Sequence, residues 1–262
     1  MDNEKSPYLH PQVYEIAFSF RDYLQSVDFI EAAAAAAGLV EIDSMVELGC
    51  GPGQYCREFS RRGKTAFGVD LETPMLAYLE QLCKDEDLTC RAINADMRAF
   101  RLPQPVDLAV CMMATFGHLL TNRDTVDHLN AVADNLTDGG IYIIELQHPR
   151  DMFCVGKSTD NCWTIEKDGL KVTTDWGSES TLDPLTEIED VTTRYTVESE
   201  DTTETFESHT QTRHISAGLI RALIDNSSRF KIASMYGDLN IDQPFDNTKK
   251  SWRMILVLRK HS

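Results

Sequence analysis

An apolar run, Val46-Glu47-Leu48, breaks into Gly49-Cys50-Gly51-Pro52-Gly53, three glycines at alternate positions, and a helix-like segment from Gln54 to Arg62 follows. No other stretch narrows the possible folds as much. Glycine has no Cβ, so the backbone can bend sharply and lie close against a ligand. A strand, a glycine-rich bend and a helix in that order make the nucleoside site of α/β sheets. Asp70 closes the next apolar run, where a carboxylate suits a pair of ribose hydroxyls. The spacing is G-x-G-x-G, and Gln54 stands where a dinucleotide fingerprint has Gly or Ala for helix packing. The pattern therefore predicts a nucleoside ligand without a pyrophosphate.

The surrounding chain alternates in the same way. Apolar runs at 45–48, 65–69, 88–93, 106–113 and 141–146 read as buried parallel strands separated by helices. Thr73-Pro74 predicts a helix start with Thr73 as N-cap and Pro74 at the first helical position, and Arg61-Arg62-Gly63 predicts a stop. This is the pattern of a doubly wound, mostly parallel α/β sheet, Rossmann-like and seven-stranded, whose ligand crevice lies beyond the carboxyl ends of its strands. Gly49, Asp70, Asp96 and Met112 all fall at such ends and are expected to converge.

Four regions follow. Residues 1–40 read as helices: Tyr14, Ala17, Phe18, Phe20 and Tyr23 give an apolar stripe, and a run of alanines ends at Gly38, a good cap. This segment is expected to lie over the mouth of the core as a lid. Residues 41–150 are the α/β core. Residues 151–215 change character, with 15 acidic against 5 basic residues and β-branched residues alternating with polar ones. Period-two patterning and Asp168-Gly169 between two such runs predict a small antiparallel sheet inserted after strand five. Residues 216–262 return to the core, with a helix around Leu219–Ile224 and strands at 230–236 and 252–258.

Composition bounds the function. The net charge of −17 argues against nucleic acid and anionic membranes as partners. No apolar run approaches the ~20 residues a membrane span needs, and the polar start Met1–Lys5 does not read as a signal peptide. The seven cysteines are scattered singly, without C-x-x-C pairs, which suits a reducing cytoplasm. The histidines show no metal-ligand spacing, so no metal is expected. The antiparallel insertion offers a strand edge on which a homodimer is a possible arrangement.

Several ordered segments resemble the class I S-adenosylmethionine (SAM)-dependent methyltransferases. Val46–Gly53 is similar to their motif I, Asp70–Leu76 to the acidic segment after it, Asn94-Ala95-Asp96-Met97 to the adenine-contacting turn, Asp107–Met113 to strand four and Gly139–Glu145 to strand five. The layout resembles glycine N-methyltransferase-like enzymes, and still more the N,N-dimethyltransferases of nucleotide-linked aminosugars. Tyr14-Glu15, Arg21-Asp22-Tyr23, Cys111–Leu119 and Gln147–Phe153 are similar to segments of that group. The chain departs from it in lacking the Gly-Lys after the arginine and in having Gln147-His148 for its tryptophans. Its Trp252–Val257 run instead resembles uncharacterised small-molecule methyltransferases.

The resemblance implies that Glu47, Gly49, Gly51, Gly53, Leu71, Met75, Met97 and Met112 line the cofactor site. It further implies that Asp70 takes the ribose, Asp96 the adenine amino group and Arg21 the SAM carboxylate. An amine acceptor must be neutral to attack, and histidine titrates in the range that removes an ammonium proton. His118, just past strand four, is the candidate base, and Tyr14 on the lid is a candidate for orienting the acceptor. His148 and Arg150 are candidate acceptor contacts. The reading is transfer of a methyl group to a small molecule, an amine nitrogen first. The alternatives are a peptide N-terminus, an oxygen acceptor, or a SAM-binding module without catalysis.

Overall fold

The computed structural model describes residues 7–150 and 161–261. The Met1–Lys5 start and the Asp151-Met152-Phe153 end of the aminosugar-like segment lie outside the described residues. In chain order the elements are α1 (Pro11–Ala17), α2 (Tyr23–Ala36), β1 (Ser44–Leu48), α3 (Gln54–Arg61), β2 (Thr65–Asp70), α4 (Thr73–Asp85), β3 (Cys90–Asn94), β4 (Val106–Cys111), α5 (Asn122–Asn135) and β5 (Leu136–Gln147). An antiparallel group follows: β6 (Cys162–Lys167), β7 (Leu170–Trp176), β8 (Thr181–Asp183), β9 (Ile188–Glu198) and β10 (Thr203–Arg213). Then α6 (Ala217–Ser227), β11 (Phe230–Tyr236) and β12 (Arg253–Lys260) close the chain. Short 3-10 turns stand at Pro7–Leu9 and Thr115–His118.

The first sheet has seven strands in the order β3-β2-β1-β4-β5-β12-β11. β1 to β5 pair in parallel, and β12 and β11 are added antiparallel at one edge. Its central strands are largely apolar because both faces are covered, whereas the edge strands β3 and β11 are mixed and partly exposed. Alternate residues serve opposite cores. Val46, Ala109 and Leu256 pack toward α5 and α6, while Met45, Leu108 and Val257 pack toward α2, α3 and α4. The order turns outward in both directions between β1 and β4, which opens a crevice at their carboxyl ends.

The second sheet runs β10-β9-β7-β6, with β8 on β9. Asp168 and Gly169, at φ 54° and 76°, form the expected tight turn between β6 and β7.

Two expectations are corrected. The helical segment 1–40 is not one lid. α2 is core: Val27, Phe29, Ile30, Ala33 and Ala34 are buried in one cluster with Met45, Leu108, Ile143 and Val257 of the first sheet. Only α1 sits apart, its Val13, Ile16 and Ala17 against Val172 and Tyr195 of the second sheet, with Trp163 Nε1 donating to the Ala17 carbonyl at 2.7 Å. Second, the N-cap of α4 is Glu72, and Thr73 and Pro74 occupy the first helical turn without a side-chain cap.

Candidate active site

The glycine bend is built on backbone that other residues rarely adopt. Gly49, Gly51 and Gly53 have φ of 62°, 51° and 71°, all left-handed. A Cβ on Gly49 would come within 2.2 Å of Thr115 Cγ2. The bend delivers Gln54 into α3, whose N-cap Gly53 has no side chain to offer. Glu47 supplies the missing acceptor from β1, taking the Cys56 N–H at 3.0 Å. Burial raises the Glu47 carboxyl to about 7. Its part is to hold the helix start beneath the bend.

Asp70 orders the same corner. One oxygen accepts the Gly51 N–H at 2.7 Å and the other the Glu72 N–H at 2.9 Å. A carboxylate offers about four acceptor positions, so each oxygen keeps one for a ligand hydroxyl.

A cavity of about 560 Å³ opens beside this corner, between the two sheets, within the ~300–1,000 Å³ typical of small-molecule sites. Of the candidates read from the sequence, Gly49, Gly51, Asp70, Leu71, Met75, Met97, Tyr14, His118 and His148 line it. It also takes in Thr115 of the Cys111–Leu119 segment, and residues that no sequence pattern marked: Tyr8, Trp176, Glu189, Glu207–Thr210 and Thr212–Ile215.

Other candidates are placed differently. Gly53 packs against Leu79 and spaces the bend from α4. Met112 is buried in the core beneath the cavity. Asp96 is clamped by Arg98, whose Nε lies 3.0 Å from both of its oxygens, and this pairing lowers its carboxyl below the ordinary range. The cavity is reached instead by its neighbours Ala95 and Met97.

Arg21 is likewise occupied. Its guanidinium makes two bonds to Glu145, at 3.1 and 2.5 Å, and one to the Tyr55 hydroxyl at 3.0 Å. Arg253 pairs with the same carboxylate, and burial beside Arg21 lowers its guanidinium to about 9. Glu145 in turn accepts the Met113 N–H at 3.0 Å, and its carbonyl accepts the Ala114 N–H at 3.2 Å. Met113 and Ala114 stand at φ 55° and 60°, costly for residues with a Cβ. The expected cofactor arginine thus anchors a strained corner of the cavity wall.

Arg150 reaches the carbonyls of Thr248 and Ser251. His148 lines the cavity, yet both its nitrogens are engaged, by the Asp246 carbonyl and the Arg150 N–H. These two residues fasten the loop before β12.

The wall above the bend comes from α1 and the turn before it. Tyr14 lies over Gly51. Its neighbour Glu15 points the other way and ties α1 to the core through Arg57, Gln54 and the Tyr78 hydroxyl. That explains the Tyr14-Glu15 pair: one residue faces the cavity and the next latches the helix. Burial pushes the Tyr8 hydroxyl up to about 12 and that of Tyr14 well above its ordinary value, so both are hydrogen-bond donors rather than bases.

His118 stands on the 3-10 turn after β4. Burial lowers it, partly opposed by a hydrogen bond to the Gln211 carbonyl on β10. A neutral imidazole with one nitrogen so engaged keeps the other as an acceptor. Among the described lining residues, Asp70, Glu72, Glu189 and Glu207 outnumber Arg213, so the cavity favours cationic guests. The left-handed glycine cradle beside a carboxylate with open acceptor positions fits the nucleoside expected from the sequence.

Comparison with known proteins agrees with this geometry. Residues 45–140 match the family model described as a methyltransferase domain. A dTDP-3-amino-3,4,6-trideoxy-alpha-D-glucopyranose N,N-dimethyltransferase of Streptomyces venezuelae is 26% identical over 141 residues, 52% of this chain and 56% of that protein. The chain therefore spans little more than half the length of the curated relatives it matches first. Among solved structures, an S-adenosylmethionine-dependent methyltransferase of Clostridium acetobutylicum aligns with a TM-score of 0.79 at 16% identity, over 95% of this chain and 96% of that one. DesVI of Streptomyces venezuelae aligns with a TM-score of 0.77 at 19% identity, over 95% and 97%. The fold is that of class I methyltransferases, with the second sheet added.

Proposed function

We propose that the chain, whose residues 45–140 match the family model described as a methyltransferase domain, is a SAM-dependent methyltransferase acting on a small-molecule amine nitrogen. One observation carries this reading: a single cavity joins the left-handed glycine bend and Asp70 on one side to His118 on the other. A nucleoside and a second small molecule then meet within one enclosure. The aminosugar N,N-dimethyltransferase among the relatives supports nitrogen as the acceptor atom.

When bound, SAM supplies a methyl group already activated by its sulfonium. The protein's part is binding, orientation and handling of protons. Gly49 and Gly51 let the backbone lie against the methionine portion, the two open positions on Asp70 accept the ribose hydroxyls, and Met75 and Leu71 flank the base. Arg21 acts at one remove, through Glu145, on the wall at Met113 and Ala114. Tyr14 and Tyr8 close the cavity from above and donate hydrogen bonds. His118 accepts a proton from the acceptor or orients it. Holding two reactants in attack geometry is worth ~7–11 kcal/mol, so such a site needs little covalent chemistry of its own.

The test is direct. Calorimetry with SAM and with NAD should show micromolar-range binding of SAM alone. Labelled-methyl transfer should then be found with amines and aminosugars, the dTDP-linked 3-aminosugars included. Binding of NAD in preference to SAM would overturn the reading. SAM binding without transfer to any amine would overturn the nitrogen assignment.

A further inference from the structure

Four histidines line the cavity, and their partners divide them sharply. His148 has both nitrogens engaged. His209 gives one nitrogen to Thr192 and the other lies 3.3 Å from Glu207, with the side chain 74% exposed. His118 has one nitrogen on the Gln211 carbonyl. His214, directly after β10, is 11% exposed at its side chain, and its Nε2 lies 2.6 Å from Glu189 Oε2. Glu189 is fixed in turn by the Ser180 hydroxyl, which donates to Oε1 at 2.5 Å.

This geometry sets the tautomer. An ionised carboxylate only accepts, so Nε2 of His214 carries a proton, and in the neutral ring Nδ1 is the nitrogen with the lone pair. Nδ1 meets no partner among the described residues, and it is not among their fully buried polar atoms. His214 and Glu189 both line the cavity. His118 lies close by: its neighbour Gly117 is so near the Arg213 backbone that a Cβ there would stand 3.3 Å from the carbonyl oxygen. The other charged groups at this corner are Arg213 and Glu187, which pair with each other at 3.2 Å.

We propose that His214, oriented by Glu189, is a second proton acceptor of the site, taking the proton of an ammonium group on the bound acceptor. The proposal rests on the methyltransferase reading above and names the group that makes the acceptor nitrogen nucleophilic. In the step, one N–H bond of the ammonium breaks and an N–H bond forms at His214 Nδ1. The electron pair stays on the acceptor nitrogen as the lone pair needed for attack. The resulting imidazolium is held by the Glu189 carboxylate, the arrangement that stabilises a protonated histidine. His118 has the Gln211 backbone as its partner and feels the Asp70 carboxylate only through space. The four lining carboxylates favour an acceptor that arrives as a cation.

The test uses the full chain bound to S-adenosylhomocysteine, carrying histidine labelled with ¹³C at Cε1. Glucosamine hydrochloride is the ammonium probe, and N-acetylglucosamine is the control that lacks the ammonium. The His214 resonance should move saturably with glucosamine and stay still with the control, while the His209 resonance stays still with both. In Glu189→Gln, which can fold with the same shape, glucosamine affinity should fall tenfold or more with S-adenosylhomocysteine affinity unchanged. A motionless His214 resonance, or equal shifts with both sugars, overturns the proton-acceptor role while leaving the methyltransferase reading in place. Failure of S-adenosylhomocysteine to bind overturns both, and calorimetry on the same sample distinguishes the two failures.

Discussion

The two walls of the cavity are built by different means. The glycine-bend wall uses local chain: β1, the bend, β2 and the turn after β3 each contribute a residue at a strand end, and most contacts are to backbone, as in the Asp70 bonds to the Gly51 and Glu72 N–H groups. The opposite wall uses side chains from β9 and β10 paired across strands, as in His214 with Glu189 and Glu207 with Arg194. A wall of backbone has one shape and suits a ligand that never changes. A wall of paired side chains can be altered residue by residue without disturbing the sheet beneath, which suits a variable acceptor.

The largest effect should separate the walls at once. Asp70→Ala removes two bonds that shape the bend and the two acceptor positions proposed for the ribose hydroxyls, each such charge-assisted bond worth ~1.5–3 kcal/mol. SAM affinity measured by calorimetry should fall by a hundredfold or more, and unchanged affinity would break the assignment. His118→Ala should do the reverse, with turnover down ~10²–10⁴-fold, the usual contribution of proton transfer, and SAM affinity within about threefold by the same titration.

The third effect concerns the scaffold under the bend wall. His128 is buried between the Met97 carbonyl and the Tyr142 hydroxyl, and burial lowers it to about 4. Unfolded, it titrates near ~6.5. Its contribution is therefore present above about pH 6.5 and is lost as pH falls toward 4, up to about 3 kcal/mol by the linkage of pKa to stability. Urea midpoints measured from pH 7 to 4 should decline in wild type and decline less in His128→Gln. Gly49→Ala comes next, with about 1–2 kcal/mol of backbone strain and a collision with Thr115. Thermal unfolding should drop by several degrees and SAM binding should weaken with it. Smallest is Glu207→Gln on the far wall, where acceptor KM should change a few-fold and SAM affinity should stay within error. A larger loss of SAM affinity than of acceptor affinity would erase the distinction between the walls.

Legibility in the sequence follows the same division. The bend, Asp70 and the strands around them read directly, because a left-handed turn demands glycine and a buried parallel strand demands an apolar run. Met75, Leu71, Tyr14 and His118 came to the cavity as expected. Arg21 and Asp96 did not, because each found a partner of opposite charge, Glu145 and Arg98, that sequence spacing does not announce. α2 read as lid and proved to be core, since a helix shows which face is apolar but not what covers it. Gln211–His214 lay unmarked in an ordinary alternating strand, with no signal for which end of β10 would meet the turn after β4.

The chain by itself determined the order of its strands and helices, the bend and the acid that faces it, because those depend on backbone sterics and local periodicity. Only the tertiary structure decided which charges neutralise one another and which histidine keeps an open nitrogen. Those outcomes turn on contacts between groups far apart in sequence, such as Arg21 and Glu145, and a side chain's chemistry is fixed by the partner it meets.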